Sequence, residues 1–152
     1  IDDSPNLNIV EIRAKYRRMI KEFDLKLVII DYIQLMTSGK KVENRQQEVS
    51  EFSRSLKLLA KELKVPVVAL SQLNRKSEEG TNKKPELSQL RESGSLEQDA
   101  DVVILIHRDF NSAEGTRVGE AELILAKQRN GPTGSSNVIF QGQYSRFVNP
   151  KE

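Results

Sequence analysis

One carboxylate closes the first strongly apolar run of this chain. In "LKLVIIDYIQLM", residues 25–36, Asp31 follows a stretch that reads as a buried strand. At the carboxyl end of a parallel strand an acid can hold the magnesium of a bound nucleotide, directly or through water. It can equally cap the loop that follows. The second apolar run, "VPVVALS", ends in Ser71 and Gln72. A neutral amide there can hydrogen-bond a terminal phosphate or its attacking water, or take part in ordinary loop bonding. In "LRESGSLEQDAD", Arg91, Glu92 and Gly94 precede a short helical turn. Arg91 beside exposed backbone N–H groups can receive a phosphate; the alternative is a capping turn stabilised by Glu92 and Glu97. In "AKQRNGP", Lys127 and Arg129 stand two apart before a turn, which would place them on one side of a strand. They read either as solvated bases or as an arginine offered across a subunit boundary.

Elements that would position these residues follow from periodicity. "IVEIRAKYRRMIKEF" carries Ile9, Ile12, Tyr16, Met19 or Ile20, and Phe23 at helical spacing, with Asn8 and Glu11 set as a capping box. A longer amphipathic run from Asn44 to Leu63 presents Val49, Phe52, Leu56, Leu59 or Ala60, and Leu63 on one side. Between and after these helices, "KLVIID", "VPVVALS" and "ADVVILIHR" lack the alternation of a one-sided sheet, so three buried parallel strands covered by helices are expected. "EAELILAKQR", "GSSNVIFQ" and "YSRFVN" are separated by turns and predict antiparallel hairpin strands. The polar stretches 74–86 and 109–120 read as loops. No repeat and no internal domain boundary stands out over residues 1–152.

Bulk properties narrow the function classes. A chain of 152 residues buries roughly 70% of its unfolded surface, enough for a real core. No apolar run nears the ~20 residues of a membrane span. With no cysteine and one histidine, disulfides are excluded and an all-protein zinc site is disfavoured. His107 therefore reads as structural. A net charge of +2 does not imply nucleic acid by itself. Tyr32, Phe140, Tyr144 and Phe147 do not form a base-stacking platform and are assigned to packing. The chain opens on Ile with no signal-peptide pattern, and it is expected to begin inside a longer polypeptide.

Taken in order, "LVIIDYIQLM", "RSLKLLAKELKVPVVALSQLNR", "LRESGSLEQDADVVILIHRD" and "AKQRNGP" with "GQYSRF" resemble the carboxyl-terminal RecA-like motor domain of DnaB-type replicative helicases. The resemblance runs from about residue 1 to residue 147. It implies an α/β RecA-like core with antiparallel strands toward the carboxyl terminus. It also implies roles. Asp31 would be the Walker B acid supporting Mg2+, and Gln72 would sense the γ-phosphate of ATP. Arg91, Glu92 and Gly94 would face single-stranded DNA in a central channel. Arg129, with Lys127 beside it, would be the arginine finger inserted into a neighbour's site. A cytoplasmic homo-hexamer, a primase and a helicase loader are implied as partners.

One motif of such motors does not occur: no G-x-x-x-x-G-K-S/T stretch is present in these 152 residues. The chain thus resembles the part of the motor after the phosphate-cradling loop, and its isolated form is expected to be inactive. Two other readings stand beside this one. The chain could be a stand-alone module that keeps the fold to bind DNA or helicase subunits, or part of another RecA-like ATPase.

Overall fold

The first helix begins where Asn8 can satisfy its open end. The Asn8 carboxamide oxygen accepts from the amides of Val10 and Glu11, each at 3.0 Å. The Glu11 carboxylate accepts from the Asn8 amide at 3.2 Å, completing the reciprocal box. These bonds serve donors that the first turn of a helix leaves without partners. Helix α1, Ile9–Phe23, runs from there to Asp24, whose left-handed backbone ends it. The computed structural model describes residues 1–4, 8–36, 45–73, 84–108 and 119–150, with residues 91–93 as backbone alone. Most of the two expected loops, at 74–83 and 109–118, lies outside the described residues.

The chain divides into two compact units, Ile1–Asn74 with Leu90–Ala100, and Arg75–Gln89 with Asp101–Glu152. In the first, strands β1 (Val28–Ile30) and β2 (Val67–Ala69) pair in parallel, Val28 opposite Val67 and Ile30 opposite Ala69. Helix α2, Arg45–Leu63, connects them and supplies most of the core. Val49, Phe52, Leu56 and Leu59 are all buried and join Ile12, Ile33 and Met36 in one cluster. Each such side chain contributes about 1.5–3 kcal/mol by leaving water. The opposite side of α2 carries exposed Arg54 and Lys61, as its period requires. Glu62 receives Arg13 at 2.5 Å and also Arg17, tying the two helices together. Those guanidiniums, Arg17 foremost, hold the Glu62 carboxyl below the ordinary range.

Helix α3, Gly94–Asp99, packs against α2 through hydroxyl groups. Ser53, itself buried, donates to Asp99 at 2.8 Å, and Ser95 donates to Ser50 at 2.9 Å. A 3₁₀ segment, Leu87–Ser93, leads into α3.

The second unit is a four-stranded antiparallel sheet ordered β3 (Val102–His107), β4 (Glu120–Gln128), β5 (Gly134–Gln141) and β6 (Arg146–Val148). Val103 faces Lys127 while Ile104 faces Leu125, so Ala126 is a bulged extra residue. Gly119 leads into β4 at φ +90, where a Cβ would come within 3.0 Å of the Phe140 carbonyl. Only glycine fits that approach. Lys84 pairs with Glu122 at 2.6 Å and, with Ser135, lowers the pKa of that carboxyl.

The expected α/β class holds, with a parallel strand pair in the first unit and antiparallel strands toward the carboxyl terminus; two details of the strands differ. The third apolar run does not extend the parallel pair: among the described residues β3 pairs with β4, antiparallel. A continuous apolar run reports burial, whereas strand direction depends on which neighbour the chain returns to. Nor are the strands covered on both faces by the described residues. Val28 is 3% exposed but Ile29 is 61%, and Leu105 is 5% exposed but Ile104 is 58%. Phe140 and Phe147 do pack together, ring centroids 5.0 Å apart, whereas Tyr144 is exposed under the Arg146 guanidinium.

Candidate functional site

Parallel pairing brings two strand ends together in the first unit. The Leu70 amide donates to the Ile30 carbonyl at 2.9 Å, and the Ile33 amide donates to the Leu70 carbonyl at 2.9 Å. Leu70 thereby brackets Asp31 and Tyr32, and Ser71 and Gln72 leave from the same end of the sheet. Asp31 and Gln72 are both exposed there. This is the end at which open α/β sheets present their ligand groups, because loops diverge from it and leave a crevice.

Immediately after Asp31 the chain makes a 3₁₀ turn, Ile33–Leu35, pinned by Ile33, which is wholly buried. That turn carries Gln34, a residue the sequence reading did not single out. The Gln34 amide nitrogen donates to the Ser71 hydroxyl at 3.0 Å and to the Gln72 carbonyl at 3.3 Å. Its carbonyl oxygen accepts from the Gln72 amide at 3.4 Å. From α2, Arg45 donates to the backbone carbonyls of Gln34 at 2.5 Å and Met36 at 3.1 Å, and it pairs with the buried Glu48. The one signal for Gln34 in the sequence was a polar amide set among Ile33, Leu35 and Met36.

The other proposed residues fall elsewhere. Arg91 and Glu92 lie in the later part of the 3₁₀ segment, which belongs to the first unit, and Gly94 opens α3. A Cβ on Gly94 would meet nothing within 4 Å, so the fold itself makes no demand for glycine. Lys127 and Arg129 belong to the second unit. Lys127 is half-buried in β4, while Arg129 stands one residue beyond that strand, in the turn with Asn130. The Arg129 amide donates to the Asp101 carbonyl at 2.8 Å, and its Nε lies 3.5 Å from the Asp101 carboxylate. Asp101 was not anticipated either; its pairing joins two ends distant in sequence. Two-residue spacing along a strand thus does not describe Lys127 and Arg129, since the strand has ended between them.

Among the described residues, no three His, Cys, Asp or Glu side chains gather as a metal cage. A lone exposed carboxylate suits a cation that keeps its waters and takes other ligands from a nucleotide, as Mg2+ does. No described helix is long and apolar enough to cross a membrane.

Comparison with known proteins agrees with the resemblance of the motifs. The family model described as DnaB-like helicase C terminal domain matches residues 1–149. The "Replicative DNA helicase DnaB" of Leifsonia xyli subsp. xyli is 67% identical over 149 residues, 97% of this chain and 33% of that protein. The protein of the same name from Mycobacterium leprae is 67% identical over 150 residues, 98% of this chain and 25% of its own length. A solved structure described as a DnaB-like replicative helicase and its interactions with primase superposes with a TM-score of 0.93. It is 40% identical, and the match covers 99% of this chain and 37% of that one. The chain therefore spans a quarter to a third of the curated relatives it matches. On the match of nearly its whole length, the chain belongs to the DnaB-like helicase C-terminal domain family.

Proposed function

We propose that this chain is a portion of a single RecA-like ATPase domain and works within a longer replicative DNA helicase. There, ATP hydrolysis would drive translocation on single-stranded DNA and unwinding of the duplex. The observation that carries the reading is the adjacency of Asp31 and Gln72 at one end of the β1–β2 pair, in a chain of this family. The family match favours this over a stand-alone binding module or another RecA-like ATPase.

Each residue has a distinct part. Asp31 would hold Mg2+ directly or through water, and the ion would supply positive charge to offset that of the ATP phosphates. Gln72 offers an amide to the γ-phosphate or its attacking water and changes partners once that phosphate leaves. Arg129 enters the nucleotide site of the next subunit in a homo-hexamer, with Lys127 beside it, and Asp101 keeps its turn in place. Arg91, Glu92 and Gly94 meet the backbone of single-stranded DNA in the channel. Primase and a helicase loader are partners of the assembled ring, in the cytoplasm.

The test is steady-state ATPase of the full-length protein carrying Asp31→Ala. Loss of Mg2+-dependent turnover, in a protein that still assembles, is the expected result. Turnover at the wild-type rate would remove Asp31 from the nucleotide site.

A further inference from the structure

We infer that Gln34 is a positioning residue that fixes the backbone of Gln72 relative to Asp31. The inference rests on the reading of Asp31 and Gln72 given above and adds a residue to it. The Gln34 carboxamide meets Gln72 in both directions, donating to its carbonyl at 3.3 Å and accepting from its amide at 3.4 Å. A neighbouring strand would bond a residue in the same two-way manner. Here a side chain takes the place of a strand beyond the end of β2, where backbone pairing with β1 has stopped. A third bond, to the Ser71 hydroxyl at 3.0 Å, fixes the residue before Gln72.

The clamp has its own anchor. Gln34 lies three residues after Asp31, in the turn held by buried Ile33, and Arg45 grips its carbonyl at 2.5 Å from α2. Glu48, buried on α2, pairs with that same guanidinium. Asp31 and the Gln72 backbone are thus referred to one rigid turn. A γ-phosphate sensor needs this arrangement, because its side chain must respond to the phosphate while its main chain stays in register with the acid. Misplacement of a reacting group by about 1 Å can cost roughly a hundredfold in rate.

The experiment compares Gln34→Ala, Gln34→Glu, Ser71→Ala and Asp31→Ala in the assembled full-length protein. It measures KM and kcat for ATP with single-stranded DNA present, and deuterium uptake over residues 70–73. Gln34→Ala is expected to lower kcat roughly ten- to a hundredfold, to leave KM near wild type and to speed exchange at 70–73. Gln34→Glu keeps an acceptor for the Gln72 amide but loses both donated bonds, so it should fall between. Ser71→Ala removes one bond and should have the smallest effect. A side chain that only stabilised the fold would shift Tm without splitting kcat from KM. Should Gln34→Ala fail to assemble, Gln34→Glu decides, with joint loss of kcat and protection expected. Wild-type kcat and exchange in an assembled Gln34 variant, alongside an inactive Asp31→Ala, would overturn the inference alone. An active Asp31→Ala would overturn the nucleotide-site reading and Gln34's role together.

Discussion

The two units hold the side chains proposed for the nucleotide site in different ways. In the first, Asp31 and Gln72 sit where parallel strands end, and a packed helix lies behind them. Phe52, Leu56 and Leu59 of that helix are buried to within 5% of full enclosure. In the second, Arg129 sits in a hairpin turn, steadied by Asp101, on a sheet whose buried apolar residues are Leu105, Ala121 and Val138. The first arrangement fixes groups relative to one another through the core. The second projects one group from a turn, which suits a residue meant to act on a different molecule.

That contrast can be broken most severely at Arg129. In the full-length protein, Arg129→Ala is expected to cut DNA-stimulated ATPase by about 10³-fold or more while nucleotide binding persists. Unchanged turnover would leave Arg129 a turn residue and nothing else. The difference in cores comes next in size. Phe52→Ala should cost the first unit about 3–5 kcal/mol of protection against local opening. Val138→Ala, removing the equivalent of two methylenes, should cost the second only about 1.5 kcal/mol. Native-state hydrogen exchange reads both, and a larger loss per carbon removed in the second unit than in the first would contradict the difference in cores. The smallest expected effect is on DNA. Arg91→Ala should reduce the salt slope of single-strand binding by about 0.7, the release expected for one phosphate contact. An unaltered slope would take Arg91 away from the strand.

What the sequence disclosed, and what it concealed, follows the same division. Helix α1 was readable to the residue because its signals are local: Asn8, Glu11 and the three-four spacing of Ile9, Ile12 and Tyr16 all lie within three turns. Strand ends were readable because an acid or an amide after an apolar run stands out. The direction of β3 was hidden, since Val102–His107 reads the same in a parallel or an antiparallel sheet and only its pairing with β4 decides. Gln34 and Asp101 were hidden for a related reason. Their partners, Gln72 and Arg129, are 38 and 28 residues away, and hydrogen bonds across such distances leave no periodic trace. The end of β4 at Gln128, between Lys127 and Arg129, likewise means that strand alternation does not carry from one to the other.

Subunit mixing tests most directly whether the two units serve different nucleotide sites. Full-length Asp31→Ala and Arg129→Ala proteins, each expected to be inactive alone, are combined under conditions in which native mass spectrometry registers mixed rings. Where an intact Asp31 in one subunit meets an intact Arg129 from its neighbour, a complete site is restored, so partial recovery of DNA-stimulated ATPase is expected. Mixed rings that stay inactive would contradict it, placing Asp31 and Arg129 in service of the same subunit's site or outside the chemistry.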